Sequence, residues 1–273
     1  MQYAKHMSPL LKNEKLLTII TVVKNDKENI QNTINSVLNQ TSNEFEYLIY
    51  DGCSTDGTSR ILKKIKSKKI KYIRKKDINL YDAINKSISR AQGKYITLLH
   101  SGDIYPNKNH IKKLTKILKE KKPDLVSGNI AFYKKYQKKI LISRNWSYQI
   151  NNFNLFTIFK IPHPSIFIKK KILIKINSYN INYRISSDLD FFLKLIKLKK
   201  LNFIYINSYF LLMKADGLST NKKFITKKIK EDLKILFKYY SFFSIILYLY
   251  KIMIKIPNFF NLKKKIFKLN YNI

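Results

Sequence analysis

Four apolar runs of strand length alternate with segments of helical period in the first part of the chain, and this rhythm constrains the fold more than any other feature. The runs occupy residues 16–23, 45–50, 70–73 and 95–99. Between them, apolar residues recur at helical spacing, as at Ile30, Ile34 and Val37. Strands that alternate with helices form parallel sheets covered by helices on both faces. The sequence therefore predicts an α/β fold with a doubly wound, mostly parallel sheet.

The rhythm changes after residue 125. Residues 130–142 are typical of a β-hairpin, residues 187–198 have a helical period, and residues 202–213 are extended and apolar. We therefore expect three regions: an α/β half over 1–125, a mixed half of the same domain over 126–221, and a C-terminal helical region over 222–273.

The C-terminal region combines an apolar run with many lysines. Residues 239–250 carry no charge and are apolar around the whole circumference of a helix. From residue 221 onward there are 13 Lys against Glu231 and Asp232, a net of 13 − 2 = +11. The uncharged run is shorter than the roughly 20 residues that span a bilayer. It predicts an interfacial helix on an anionic membrane surface, or a helix that packs on the α/β domain or on a second subunit in a homo-oligomer.

The chain is strongly basic, with a formal net charge of +37 in 273 residues. Such a charge favours anionic partners such as nucleic acid, anionic lipid or a nucleotide. Abundant Lys, Ile, Asn and Tyr with scarce Gly, Pro and Ala are also typical of an AT-rich genome. A nucleic-acid-binding protein is one alternative, but no helix-turn-helix, zinc or RNA-stacking motif accompanies the charge, so no nucleic acid partner is expected.

Cysteine usage and the N-terminus bear on the compartment. Cys53 is the single cysteine, so no intrachain disulfide can form. Residues 1–15 contain no apolar core of signal-peptide length. We expect a cytoplasmic protein, peripheral at the inner face of the cell membrane.

Polar side chains cluster where the predicted strands end. The segment YDGCSTDGT at 50–58 places Asp51 after the second strand, and Asp103 follows the fourth. Asp188 begins a later helix, and the first strand leads into Thr21, Val23 and Asn25. Ligands of open α/β sheets bind beyond the carboxyl ends of the strands. Carboxylate oxygens there suit Mg²⁺ or Mn²⁺.

No glycine-rich phosphate loop is present in the sequence. Phosphates of a nucleotide would therefore be held by a metal ion rather than by backbone N–H groups. The same absence weighs against a sugar-nucleotide nucleotidyltransferase, which remains a further alternative.

Eight segments, taken in order, resemble family 2 glycosyltransferases. They are TIITVVKN at 18–25, INSVLNQ at 34–40, YDGCSTDGT at 50–58, YDAINK at 81–86, AQGKYITLLHSGD at 91–103, HPSIFI at 163–168, RISSDLD at 184–190 and GLST at 217–220. The resemblance implies a GT-A fold, with a nucleotide-sugar-binding half followed by an acceptor-binding half. It also implies inverting transfer from a nucleotide-sugar, usually UDP-linked, to a glycan or lipid-linked acceptor in surface polysaccharide biosynthesis.

The resemblance assigns roles to particular residues. On the nucleotide side, Thr21 and Val23 would contact the base through their backbone and Asp51 would hydrogen-bond it. The matched segments add Asn25, Asp82, Asn85, Ser101 and Gly102 to the nucleotide-binding set. Asp188 would be the general base, with Asp190 as its rival. His163, in the HPSIFI segment, is expected either to contact the acceptor or a phosphate, or to be structural.

The metal motif departs from the family's usual Asp-x-Asp pattern. The corresponding residues are His100, Ser101, Gly102 and Asp103, so Asp103 is the carboxylate that remains. We expect Asp103 to face a Mn²⁺ or Mg²⁺ ion, and His100 either to ligate that ion or to hydrogen-bond a phosphate. Elsewhere, Asp56 is expected to shape its loop, and His6 and His110 to lie on the surface.

Overall fold

The computed structural model describes residues 15–136, 139–198, 200–215, 224–256 and 266–267. Within them, one nine-stranded sheet runs in the order β3-β2-β1-β4-β7-β5-β6-β9, and β8 pairs with β5. The strands are β1 Lys15–Val23, β2 Phe45–Asp51, β3 Ile70–Arg74, β4 Gly93–Leu98, β5 Leu125–Tyr136, β6 Lys139–Trp146, β7 Phe167–Lys169, β8 Phe203–Lys214 and β9 Ile266–Phe267.

Strands β1 to β4 are mutually parallel and in register, as predicted. Val23 at the end of β1 pairs with Asp51 at the end of β2, and Asp51 pairs in turn with Arg74 at the end of β3. Parallel strands present their carboxyl ends at the same edge of the sheet. This register therefore brings the loop after β1 and the loop after β2 side by side.

Helices cover both faces of the sheet, which confirms the doubly wound prediction. Apolar residues of α1, α2 and α4 pack with Leu17 and Ile19 on one face. Residues of α3, α5, α6 and α7 belong to the cluster that contains Ile20 and Val22 on the other. The helices are α1 Ile30–Leu38, α2 Thr58–Lys64, α3 Leu80–Arg90, α4 His110–Lys121, α5 Lys170–Lys175, α6 Ser187–Ile196, α7 Ile225–Tyr240 and α8 Ser244–Met253.

The second half extends the same sheet with mixed strand directions. Strand β7 lies antiparallel to β4 and to β5, while β8 runs parallel to β5. Strands β5 and β6 form the hairpin expected from residues 130–142. The sequence pattern did not indicate β7 or α5, because a three-residue strand and a six-residue helix are too short to establish a period.

The C-terminal region is a helical hairpin rather than the single helix expected over 239–250. Helix α7 ends at Tyr240, a 3-10 turn covers Ser241–Phe243, and α8 begins at Ser244. Ser241 has a φ of 42°, which a continuous helix does not allow. The uncharged run therefore bridges the end of one helix and the start of the next. The lysines at 263–265 and 268 and the GLST segment at 217–220 lie outside the described residues.

Helix α3 ends at Arg90, and Gly93 opens β4. A Cβ on Gly93 would lie 2.3 Å from the backbone N of Thr18, so close strand contact requires glycine there. His110, expected on the surface, is buried and stacks on Tyr105 with ring centroids 5.2 Å apart. His6 lies outside the described residues.

Candidate active site

Asp51 organises the loop that follows β2. Its Oδ1 accepts a hydrogen bond from the backbone N of Ser54 at 2.8 Å, and its Oδ2 accepts from the Ser59 hydroxyl and from the Tyr72 hydroxyl at 3.1 Å. Burial alone would raise the pKa of Asp51, but these hydrogen bonds favour the charged form, and its pKa lies below the usual value. The carboxylate is therefore a fixed negative charge at the edge of the sheet, and Oδ1 can accept a further hydrogen bond.

Hydrogen bonds that involve side chains join the loops after β1 and β2. Asn25 adopts a φ of 54°, donates its backbone N–H to Ser54 at 2.9 Å and accepts from Thr55 N at 2.8 Å. Asp56 accepts from Lys27 N at 3.0 Å and from Thr58, which places it in the loop-shaping role expected for it. These contacts hold the backbone of both loops at the strand ends.

Thr21 and Val23 lie further inside the sheet. The Thr21 hydroxyl donates to the carbonyl of Leu99 at 2.7 Å and lies 2.9 Å from the Tyr47 hydroxyl. The Val23 carbonyl accepts from Gly52 N at 2.9 Å. Both residues are buried, so neither offers its side chain to a ligand at this edge of the sheet.

Asp77 is a carboxylate at this edge that the sequence reasoning missed. Its Oδ2 would lie 2.2 Å from a Cβ on Gly52, so glycine leaves room for it. Burial raises the pKa of Asp77, while the nearby charge of Lys24 lowers it. Asp77 follows β3 just as Asp51 follows β2, so the criterion of a carboxylate after a strand would have found it.

Asp82 and Asn85 both form hydrogen bonds with other parts of the protein. Asp82 lies in the first turn of α3, where Oδ2 accepts from Ile78 N at 2.9 Å and pairs with Lys86 at 2.6 Å. Asn85 bonds both backbone groups of Tyr179, donating to its carbonyl at 2.8 Å and accepting from its N–H at 3.1 Å. Asn85 thus joins α3 to the second half of the chain.

The turn after β4 brings together the residues expected at the metal. Gly102 has a φ of 93°, donates its N–H to Thr33 at 2.9 Å and has its carbonyl bonded by Tyr133. Asp103 accepts from Lys214 N at 3.1 Å through Oδ1, whereas Oδ2 and the Ser101 hydroxyl are buried without a hydrogen-bond partner among the described residues. Burial, partly offset by the Lys214 hydrogen bond, raises the pKa of Asp103 to about 8.

These residues fit a divalent cation that is shared with a substrate. In the described part of the chain, no group of three or more His, Cys, Asp or Glu side chains could form a protein cage for a metal. Mg²⁺ bound together with substrate phosphates needs one or two protein carboxylates, and water and phosphate oxygens complete its shell. The buried, unpartnered Oδ2 of Asp103 suits such a site. Burial lowers the pKa of His100 to about 4, which keeps its imidazole neutral and able to coordinate.

The two aspartates of the RISSDLD segment have different surroundings. Asp190 is fully buried, pairs with Lys194 at 3.0 Å and accepts from the Tyr239 hydroxyl at 3.1 Å. Asp188 is partly exposed in the first turn of α6, and its Oδ1 accepts only the N–H of Leu189, at 2.9 Å, among the hydrogen bonds of the described residues. Asp188 is therefore available to a ligand, whereas Asp190 is occupied by protein.

Asp188 interacts electrostatically with aromatic side chains, among them Tyr81 and Tyr179. His163 Nε2 lies 2.7 Å from the Tyr179 hydroxyl, and the Tyr179 ring stacks on Tyr81 and on Phe191. Burial lowers the pKa of His163, and the negative charge of Asp188 partly opposes that shift. His163 also interacts electrostatically with His100, and burial together with this interaction lowers the pKa of His100.

Glu231 on α7 supports the loop that leads to Asp188, and no sequence signal indicated it. Its two carboxylate oxygens accept three backbone hydrogen bonds, from Arg184 at 3.0 Å, Ile185 at 2.9 Å and Ser186 at 3.0 Å. The contact joins residues more than 40 positions apart, so periodicity could not reveal it.

A cavity elsewhere in the molecule contains none of the predicted site residues. It is lined by residues such as Asp124, Asn151, Phe153, Leu198 and Phe203. The concentration of charged and unpartnered groups at the carboxyl ends of β1, β2 and β4 makes that edge the candidate active site.

Comparison with known proteins identifies the class. The model of the family described as glycosyl transferase family 2 matches residues 18–184, more than half of the chain. The chain is 34% identical over 109 residues to TuaG of Bacillus subtilis (strain 168), named as a teichuronic acid biosynthesis glycosyltransferase; the match covers 39% of this chain and 43% of TuaG. It is 27% identical over 164 residues to a PGL/p-HBAD biosynthesis glycosyltransferase of Mycobacterium tuberculosis (strain ATCC 25177 / H37Ra), covering 58% of this chain and 60% of that protein.

Solved structures share the fold at low sequence identity. Residues 1–349 of S. aureus TarS, in complex with UDP-GlcNAc, match with a TM-score of 0.65 at 16% identity, covering 81% of this chain and 65% of that chain. The mannosyltransferase PcManGT of Pyrobaculum calidifontis, in complex with GDP-Man and Mn²⁺, matches with a TM-score of 0.59 at 12% identity, covering 90% and 72%. The expected GT-A fold is confirmed.

The fold and the charged strand-end site define a glycosyltransferase. The chain belongs to glycosyl transferase family 2, as its sequence motifs led us to expect.

Proposed function

We propose that this enzyme is an inverting glycosyltransferase that transfers a sugar from a UDP-sugar to a glycan or lipid-linked acceptor in cell-surface polysaccharide biosynthesis. The observation that carries the proposal is the contrast between the two aspartates of α6. Asp188 is exposed enough to meet an acceptor, while Asp190 is buried and paired with Lys194. Relatives named for teichuronic acid and PGL/p-HBAD biosynthesis support the acceptor class, and the UDP-GlcNAc bound to TarS supports the donor class.

In this proposal, the donor and the acceptor bind to different halves of the domain. Residues 1–125 would bind the nucleotide-sugar at the ends of β1, β2 and β4, with Asn25, Asp51 and Asp77 around the base and ribose. Residues 126–221 would bind the acceptor, with His163 and its aromatic neighbours beside it. Residues 222–273 would support the acceptor half, since Glu231 holds the loop before Asp188.

Inversion needs a base on the face of the sugar opposite the leaving group. Asp188 would take the proton of the acceptor hydroxyl as the new glycosidic bond forms, because its carboxylate is not consumed by a protein cation. Asp51 stays ionised and fixes the loop that meets the base. A Mn²⁺ or Mg²⁺ ion beside Asp103, with His100 as neighbour, would stabilise charge on the leaving diphosphate.

Such an acceptor would be met at the cytoplasmic face of the cell membrane. The donor is a soluble nucleotide-sugar of the cytoplasm, whereas a lipid-linked acceptor is confined to the bilayer. The protein would therefore work as a peripheral enzyme between the two phases.

Calorimetric titration with UDP, with and without Mn²⁺, tests the donor half of the proposal. We expect binding that is stronger with Mn²⁺, and loss of that difference in Asp103→Asn, which keeps the shape of the side chain but cannot bind a cation as a carboxylate. Asp188→Asn is the matched control and should bind UDP as the wild type does. A folded wild-type protein that binds UDP in neither condition would contradict the UDP-sugar donor.

A further inference from the structure

The outward face of α8 is entirely apolar. Taking about 100° per residue of helix, the face spans an arc of about 120° without a polar side chain in the described residues. Each of its side chains is 44% exposed or more: Ile245, Ile246, Leu249, Ile252, Met253 and Ile256. Monomeric proteins rarely expose contiguous apolar patches beyond a few hundred Å², and larger ones mark interaction sites. This face is therefore a docking surface.

The turn between the two helices extends the apolar surface to a tip. Phe242 is 92% exposed and Phe243 is 68% exposed. Phe237, in the last turn of α7, is 61% exposed. Large aromatic rings held in solvent at the end of a hairpin are suited to insertion into an apolar phase.

Helix α7 carries a stripe of exposed lysines. Lys227, Lys230, Lys234 and Lys238 are exposed and recur at spacings of three and four, which confines them to an arc of about 80°. The two acidic residues of α7 do not neutralise the stripe. Glu231 is engaged by the loop before α6, and Asp232 is buried against Lys251 at 2.7 Å. The hairpin therefore exposes positive charge on α7 and an apolar face on α8.

The inner side of the hairpin is fixed to the catalytic domain. Ile235, Leu236 and Leu247 are buried in the cluster that also contains residues of α3 and α6. The Lys251–Asp232 ion pair joins α8 to α7 with both side chains nearly buried. These contacts hold the outward face in place while leaving it open to solvent.

The geometry excludes the hairpin, as folded, from crossing a bilayer. Residues 225–253 are long and apolar enough for a span by length and composition. The turn at Ser241 divides them, and α8 with 10 residues is about 15 Å long, half of the hydrocarbon thickness. A helix with one apolar face, next to a basic face, lies in the plane of the membrane interface.

We propose that the α7–α8 hairpin docks on an anionic lipid bilayer, with the α8 face and the Phe242–Phe243 tip in the interface and the α7 lysines against the headgroups. A second copy of the chain is the competing occupant. Two copies that each carry a net charge of +37 repel one another, whereas anionic headgroups complement the lysine stripe. This inference rests on the surface alone and does not depend on the donor or the chemistry.

Flotation of the full-length protein with vesicles tests the proposal. We expect the wild type to float with vesicles of phosphatidylglycerol and phosphatidylcholine, and less with phosphatidylcholine alone or at high salt. Ile246→Asp with Leu249→Asp should lower the bound fraction about tenfold or more, since each loses a buried apolar side chain and adds a charge. Ile174→Asp, at an exposed isoleucine of α5, is the matched control and should float as the wild type does.

A second variant tests the charged stripe. Replacing the four exposed α7 lysines by Gln should weaken flotation with anionic vesicles about tenfold or more, because the charge that attracts anionic lipid is removed. The matched control replaces four exposed lysines of α4 by Gln: Lys112, Lys113, Lys116 and Lys119. It changes the net charge by the same amount and should have little effect on flotation.

Two results would overturn the proposal. One is failure of the folded wild type to float with either vesicle; a lipid-free dimer that Ile246→Asp with Leu249→Asp converts to monomer would then identify a second copy as the occupant. The other is unchanged flotation of both the α8 and the α7 variants. Phe242→Ser with Phe243→Ser, at side chains that stand in solvent, provides a further variant if the aspartate pair does not fold.

Discussion

The carboxylate of Glu231 accepts the backbone N–H of Ser186 at 3.0 Å, and so connects the C-terminal hairpin to the residue that caps the helix of Asp188. The same carboxylate accepts the two preceding N–H groups of the loop. Hydrogen bonds to a charged acceptor contribute about 1.5–3 kcal/mol each. The position of Asp188 therefore depends on a helix that lies outside the region matched by the family model.

Glu231 is expected to act as a positioning residue. Glu231→Ala should lower kcat for sugar transfer while leaving the Kd for UDP unchanged, because the loop it holds carries Asp188 and not the nucleotide site. The kcat of Glu231→Gln should lie between those of the wild type and Glu231→Ala, since the amide oxygen of Gln can still accept two of the three N–H groups. Steady-state kinetics and UDP calorimetry measure this split.

The control for Glu231 is Glu120→Ala, which removes an exposed glutamate whose ion pair with Lys116 is long, at 3.8 Å. It should change neither quantity. Equal losses of UDP affinity and kcat in Glu231→Ala would indicate a general structural role and contradict the positioning role.

Asp188→Asn is expected to reduce sugar transfer by about 10²- to 10⁴-fold, the usual contribution of a general base. The amide keeps the shape of the side chain but cannot take a proton from the acceptor. Transfer of labelled sugar from a UDP-sugar to acceptors in native membrane extracts measures the effect. Asp190→Asn should instead lower stability, because Lys194 would lose its buried partner. If Asp190→Asn lost sugar transfer while remaining stably folded, and Asp188→Asn stayed active, Asp190 rather than Asp188 would be the general base.

His110 should make the protein acid-sensitive. Burial lowers its pKa to about 3, below the ordinary value of 6.5. As the pH falls below 6.5 the unfolded state binds a proton that the folded state does not, so stability is complete above pH 6.5 and is lost progressively towards pH 3. His110→Phe keeps an aromatic ring against Tyr105 and Phe210 and removes this loss.

Urea unfolding at pH 7.5 and pH 4.5 measures that difference. The free energy of unfolding should fall between the two pH values by on the order of 2 kcal/mol less in His110→Phe than in the wild type. His100 and His163 titrate in both proteins, so the comparison isolates His110. Parallel pH profiles for the two proteins would show that His110 is not held neutral by the fold.

Two glycine substitutions should separate stability from binding. In Gly93→Ala the new Cβ meets the backbone N of Thr18 at 2.3 Å, and the strands must move apart, at a cost of about 1–3 kcal/mol. In Gly52→Ala the new Cβ meets Oδ2 of Asp77 at 2.2 Å, and the side chain can rotate away. We expect Gly93→Ala to lower the urea midpoint with UDP affinity retained. Gly52→Ala should weaken UDP binding with little loss of stability, and the opposite pattern would place the nucleotide elsewhere.

The sequence was sufficient for the first half of the fold because its signals are local. Apolar runs and helical spacing located β1 to β4 and their helices within a few residues, since burial between two helical layers requires continuous apolar strands. The polar loops after those strands, with Asp51 and Asp103, followed from the same pattern. Strand β7 and helix α5 escaped because they are too short to carry a period.

The sequence by itself determined the α/β class, the family and the chemical types at the strand ends. Only the tertiary structure decided how those groups are used. It separated Asp188 from Asp190 by burial, engaged Asp82 and Asn85 in contacts within the protein, brought Asp77 beside Gly52, and divided the apolar 239–250 run between two helices. The physical reason is that periodicity reports which side of an element is buried, whereas a partner distant in sequence, such as Glu231 for Ser186, is chosen by three-dimensional packing alone.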